Sequence, residues 1–263
     1  MPGIDAADLE LIVSAAEAAG QIARRYHGAA PQVWEKDDNQ GPVSEADLAV
    51  DGMLRSRLIS ARPDYGWLSE ETEDNDSRLT TSRQFIVDPI DGTRAFIEGA
   101  RDWSHSIAVA HGGQIVAAAV YLPLREAMFS ASLGGGARLN GGTIAVSAED
   151  QLDRANVLAN RVTMAPENWR DAEPPPVTRH FRSSLAYRMC LVAQGRFDAM
   201  LTFRPTWEWD IAAGALIVQE AGGTVTDRHG RELKFNRGLP QADGVVAGGA
   251  LHPALVAELG SPG

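Results

Sequence analysis

A single cysteine, Cys190, occurs in 263 residues, so no intramolecular disulfide can form. Without a C-x-x-C pair or a Cys/His cluster there is also no zinc-binding pattern. No apolar run approaches the length of a membrane span, and the first thirty residues lack the basic, apolar, small-residue order of an export signal; a cytoplasmic protein is expected. Positive charge is scarce: 24 Lys and Arg stand against 35 Asp and Glu, for a formal net charge of −11. A uniformly acidic protein repels phosphate backbones, which argues against nucleic acid as a partner. What is present is core-forming material, 44% hydrophobic residues with Gly and Pro spread along the chain. The length suits one large domain or two fused halves.

Apolar residues at helical spacing from Leu9 to Tyr26 predict a first helix over Asp5 to about His27. A polar stretch from Glu35 to Gly41 precedes a second helix, which starts after Ser44 with Asp47 in capping-box position and ends near Ala61 at Arg62-Pro63-Asp64. Strands follow: a short buried one at Phe85-Ile86-Val87, then a hairpin from Ser104–Ala110, which reads as alternating, through Gly112-Gly113 to Gln114–Leu122. Ala127–Ser132 and the Asn140-Gly141 turn continue the antiparallel pattern. The three prolines in Asp171–Pro176 suggest a loop and a seam between halves. A helix over Ser184–Gln194, a strand over Asp198–Phe203, a helix from Asp210 to Glu220, and a last strand, turn and short helix complete an α+β pattern.

Four segments hold acids that chemistry can use. In Asp88-Pro89-Ile90-Asp91-Gly92-Thr93 the proline keeps Asp88 extended and Gly92 permits a tight turn. Two carboxylates three residues apart can then face one point, and the Gly92 and Thr93 amides at a helix start can face an anion. Glu70, in Ser69-Glu70-Glu71-Thr72, sits where a strand would end. Asp210 follows Trp207-Glu208-Trp209 as a natural N-cap, and Asp47 can be read as a capping acid. Each has a bland explanation alone; together they do not.

These pieces, with Lys36 and Pro42-Val43-Ser44-Glu45-Ala46-Asp47, Ala212-Ala213-Gly214 and Glu220-Ala221-Gly222-Gly223, stand in the order and spacing of the inositol monophosphatase superfamily, which the chain resembles over residues 36 to 223. That resemblance implies a layered αβαβα sandwich of the inositol monophosphatase/fructose-1,6-bisphosphatase type, often a homodimer. It divides the domain into an N-terminal half of about 1–146, with most metal ligands, and a C-terminal half of about 147–263. It implies a lithium-sensitive phosphomonoesterase acting on a small phosphorylated metabolite with two or three Mg²⁺ ions, Mn²⁺ being a substitute. Carried over by position, Glu70, Asp88, Asp91, Asp210 and the Ile90 carbonyl would be metal ligands. Thr93 with Asp47, aided by Glu70, would activate water, and Gly92, Thr93, Ser184 and Asp210 would contact substrate.

The substrate is less legible. The acid that binds inositol hydroxyls in the family falls at or near Thr202, and the usual Gly ahead of the helix at residue 184 is Ser183. Pro205-Thr206-Trp207-Glu208-Trp209-Asp210 instead is similar to the pattern of bacterial 3′(2′),5′-bisphosphate nucleotidases, with Arg182, Arg188 or Arg204 available for a second phosphate. Inositol 1-phosphate and histidinol phosphate are the alternative substrates, and a non-catalytic regulatory binding protein is the alternative class.

Overall fold

A computed structural model describes residues 6–29, 31–35 and 41–260; Lys36 lies outside them. Helix α1 (Ala6–Tyr26) is followed by a small antiparallel pair, β1 (Val33–Glu35) and β2 (Pro42–Ser44), and by helix α2 (Glu45–Ala61). Next come β3 (Gly66–Ser69), β4 (Arg83–Asp91), α3 (Thr93–Ile97), β5 (Ser104–His111), β6 (Gln114–Leu122), β7 (Ala127–Ser132), β8 (Gly136–Leu139) and β9 (Gly142–Thr143). The seven strands β3 to β9 form one sheet in sequence order, parallel only between β3 and β4. The second part holds β10 (Asn156–Ala159), β11 (Thr178–His180), α4 (Leu185–Ala193), β12 (Ala199–Trp207), α5 (Glu208–Glu220), β13 (Thr224–Thr226), β14 (Gln241–Gly248) and α6 (His252–Ala257). Its five strands make a mixed sheet in the order β11-β10-β12-β14-β13.

Three apolar clusters bind these elements into layers. Ile12, Ala16 and Ala19 of α1 and Val50, Leu54 and Leu58 of α2 pack on Phe85, Val87, Ile107 and Val109 of the first sheet. The opposite face of that sheet, through Ile86, Ala108, Ala118 and Val120, meets α4 and α5, whose other side rests on Leu158, Met200, Val245 and Ala247 of the second sheet. Leu201, Val246 and Leu255 close the far face beneath α6. The result is the α+β layered sandwich in the order αβαβα. Both central helices are buried on nearly every side, as helices between two sheets must be. Gly214 makes their contact possible: a Cβ there would lie 2.7 Å from Met189 Cβ.

Several local expectations need correction. The strand expected at residues 85–87 runs nine residues, and β5 is buried along all but its last residue rather than alternating, because both sheet faces are covered by helices. The proline loop at 171–176 joins β10 to β11 of one sheet and so is no seam between halves. Helix α5 begins at Glu208 with Trp207 as its N-cap, which makes Asp210 the third helical residue and not the cap. The terminal region holds two strands, β13 and β14, where one was expected.

Candidate active site

The site begins with an irregularity in β4. Asp88 pairs with Ser106 of β5, but Asp91 pairs with Ser104, so three steps on one strand match two on the other. Side chains alternate across a regular strand, and Asp88 and Asp91 would face opposite ways. The bulge restores the phase and turns both carboxylates toward the α4–α5 layer, while Ile90 goes to the α1–α2 core. A carbonyl inside the bulge is held by buried His105, whose Nδ1 donates to Pro89 O. Burial pulls the His105 pKa down to about 4. The imidazole is neutral, and since a carbonyl only accepts, its proton sits on Nδ1.

Asp91 is seated on the N-terminus of α4. Its carboxylate accepts from Ala186 N at 2.7 Å, Leu185 N at 3.2 Å and the Ser184 hydroxyl at 2.5 Å, and Ser184 Oγ also accepts from Tyr187 N. Ser184, expected at the substrate, is fully buried and its hydroxyl is committed to Asp91.

Carboxylate oxygens of Asp88, Asp91 and Asp210 all lie within 4.8 Å of one another. Glu70, just past the end of β3, lines the same cleft. Two like charges about 4 Å apart repel by roughly 4 kcal/mol at an effective dielectric of 20. Burial, then Glu70 and Asp91, push the Asp88 carboxyl well above the usual range, and burial, then Asp91 and Glu70, do the same to Asp210. Asp91 rises to about 6, restrained by its hydrogen bonds from Ser184 and α4. Asp88 Oδ1 is fully buried without a hydrogen-bond partner. Converging carboxylates, buried for Asp88 and Asp91 and half-buried for Asp210, with an orphaned oxygen on Asp88, fit a hard divalent cation, and an all-oxygen donor set does not suit zinc.

Thr93 opens α3 beside this cluster. Its hydroxyl lies 3.2 Å from Asp47 Oδ1 and 3.1 Å from Ile90 O, so its single proton can go to either. Asp47 is itself buried on the first turn of α2, where its other oxygen accepts from Ser44 N at 2.9 Å and from the Ser44 hydroxyl. Burial raises its pKa despite these bonds. Gly92 adopts φ 97°, and a Cβ there would meet Asp102 O at 3.2 Å. A side chain is excluded on both counts. The first amides of α3 have no partners within the helix and border the cleft.

The cleft, about 540 Å³, takes in Glu70, Asp88, Asp91, Gly92, Thr93 and Asp210 together with Phe181, Arg188, Thr202 and Arg204. Arg188 is buried, donates to Arg182 O and Ser183 O, and lies 4.5 Å over the Phe181 ring. Arg182 turns away, toward Asp102 and Phe197. Of the three arginines offered for a second phosphate, only Arg188 and Arg204 border the cleft. Sequence reading missed His105, bonded to Pro89 O, and Asp51 of α2, which accepts from the Ser69 and Thr72 hydroxyls on either side of Glu70; these bonds join distant segments and leave no local signal.

Residues 6–261 match the family model described as the inositol monophosphatase family. An inositol-1-monophosphatase of Rhizobium meliloti is 34% identical over 72% of this chain and 73% of that protein. A histidinol-phosphatase of Chlorobaculum parvum is 32% identical over 97% of each. Among solved structures, the extragenic suppressor protein suhB from Bartonella henselae superposes with a TM-score of 0.83 at 30% identity, covering 96% of this chain and 98% of that one. The bulged acid pair on β4, the third acid on α5 and the match along nearly the whole chain lead to one conclusion: this protein belongs to the inositol monophosphatase family.

Proposed function

We propose that the chain is a Mg²⁺-dependent phosphomonoesterase for a small metabolite bearing a second anionic group, with 3′-phosphoadenosine 5′-phosphate the substrate that fits best. Family membership makes it a phosphoric monoester hydrolase. The observation carrying the metal-dependent reading is the convergence of Asp88, Asp91 and Asp210 beside Thr93 and Asp47.

Glu70, Asp88, Asp91, Asp210 and the Ile90 carbonyl would hold two or three Mg²⁺ ions, or Mn²⁺ in their place. When bound, Mg²⁺ supplies charge against the phosphoryl oxygens and makes water acidic enough to attack at neutral pH. The Thr93 hydroxyl, donating to Asp47, turns an oxygen lone pair toward the cleft and can accept the proton of the attacking water. The raised pKa of Asp47 makes it a stronger base than a free carboxylate, suited to receive that proton through Thr93. Amides of Gly92 and Thr93 offer donors to the phosphate.

Arg188 and Arg204 place positive charge in the same cleft as the acids, where a second phosphate would sit. Phe181, 49% exposed and backed by Arg188, presents a flat apolar face suited to a nucleobase. Thr202, buried at the cleft wall, brings no carboxylate to a polyol. The relatives' names make inositol 1-phosphate and histidinol phosphate the competing substrates. A purely regulatory binding role has less support, since all six acidic and hydroxyl residues of the proposed machinery are present. A homodimer remains part of this reading, to be tested by sedimentation velocity.

The deciding experiment compares kcat/KM, with Mg²⁺, for 3′-phosphoadenosine 5′-phosphate, inositol 1-phosphate, histidinol phosphate and fructose 1,6-bisphosphate. At least about tenfold preference for the first is expected, with inhibition by lithium. Preference for inositol 1-phosphate would overturn the substrate alone. Failure to hydrolyse any of the four would overturn the reaction.

A further inference from the structure

Glu70 follows β3 of the first sheet and Asp210 lies on α5 just after β12 of the second, so something must fix their separation. Arg78 lies in a 3-10 turn, Asp76–Thr80, eight residues beyond Glu70, and is 1% exposed. Its guanidinium donates from Nε and Nη2 to both oxygens of Asp74, at 2.6 and 2.7 Å. From Nη1 it reaches Asn236 Oδ1 at 2.7 Å, and from Nη2 Arg237 O at 2.9 Å. The turn is seated against β3 at Gly66, where a Cβ would lie 3.0 Å from Arg78 Cα.

The same distant loop is gripped from its other side by Glu208, two residues before Asp210 and likewise 1% exposed. Its carboxylate accepts from Asn236 N at 2.6 Å and Arg237 N at 3.1 Å, and Glu208 N donates to Pro240 O at 2.9 Å. Arg78 thus binds acceptors of the loop and Glu208 binds its amides. Neither side chain borders the cleft that holds the acids.

We propose that Arg78 and Glu208 are positioning residues for the metal site: through residues 236–240 they set the span between the Glu70 loop and the first turn of α5 that carries Asp210. This rests on the reading of those acids as metal ligands. A planar, pre-organised guanidinium suits such a task, since its fork fixes direction as well as distance. Burying it gives no assured gain in stability, because desolvation offsets the attraction.

The test titrates Mg²⁺ and Mn²⁺ into metal-free protein by calorimetry, without substrate, for wild type, Arg78→Lys, Arg78→Met and Glu208→Gln. Outer supports of metal ligands typically contribute about 10- to 100-fold in affinity. A loss of that size is expected in both Arg78 variants and a smaller one in Glu208→Gln. Substrate KM at saturating metal should stay within about threefold of wild type. Lowered thermal stability with unchanged metal affinity in the folded variants would overturn the proposal and leave a structural stitch. Should the Arg78 variants fail to fold, Glu208→Gln decides alone, because it keeps shape and one good acceptor. Wild-type protein that takes up neither cation would instead remove the underlying metal reading.

Discussion

Asp47 and Asp51 stand one turn apart on α2 and serve two walls of the same site. Asp47 receives the Thr93 hydroxyl at 3.2 Å. Asp51 receives the Ser69 hydroxyl at 2.5 Å and the Thr72 hydroxyl at 2.9 Å, the residues that bracket Glu70 and Glu71. A single i, i+4 pair on one helix therefore orients both the proposed proton relay and the acid loop.

Replacing Asp51 with Asn leaves one acceptor where two hydroxyls now bond. Metal affinity is expected to fall about tenfold while kcat at saturating metal changes little. Calorimetric titration beside a metal-activation curve checks this, and equal affinity would remove Asp51 from the support of Glu70.

Thr93→Ala and Asp47→Asn should each lower kcat by about 10²- to 10⁴-fold, the range of a proton-transfer contribution, with metal affinity preserved within a few fold. The double variant should be little worse than either single one, because two members of one relay do not add. Additive losses would mean that the two residues act separately.

Asp88→Asn should abolish nearly all metal-dependent turnover and at the same time raise the melting temperature of metal-free protein at pH 7.5. The sign follows from the direction of the shift: a carboxyl with a raised folded pKa stabilises most below its unfolded value near 3.8 and loses that contribution as pH rises through the folded pKa. At neutral pH the folded state is therefore penalised, relative to the unfolded chain, for burying this acid, a penalty that Asn avoids. Saturating Mg²⁺ should reverse the order, with wild type the more stable. Thermal melts with chelator and with Mg²⁺ would give this crossing, and parallel curves would contradict it.

His105 produces the opposite slope. Its folded pKa is depressed to about 4 from 6.5, so its contribution is complete above pH 6.5 and is lost as pH falls toward 4. The shift corresponds to about 3 kcal/mol over that window. His105→Gln, which can still donate to Pro89 O, should flatten the difference in unfolding free energy across the window by about one proton. Identical acid limbs in urea melts at pH 4.5, 5.5 and 6.5 would refute the assignment.

The sequence makes the main helices and the acid-bearing segments visible because both rest on local signals, whereas their layering and the convergence of the acids are what the family resemblance implies. Helical spacing marks α1, a capping box marks the start of α2, and turn residues flank Asp91. It places Asp210 as a cap because Asp is a common N-cap, whereas α5 starts earlier, where β12 ends and Glu208 fastens to residues 236–237. The bond from the Ser184 hydroxyl to Asp91, 93 residues away, leaves no local signal. Asp51, His105 and Arg78 stay hidden for the same reason: their partners are distant in the chain.

The bulge between Asp88 and Asp91 also constrains how this gene can change. A strand counts in twos, so removing or inserting one codon inside Asp88-Pro89-Ile90-Asp91 would swing the second carboxylate into the oily space beneath α1 and α2, where nothing can solvate it. Substitution can be sampled here one side chain at a time, but length cannot, and descendants should carry this four-residue stretch at fixed size even where every neighbouring loop has grown or shrunk.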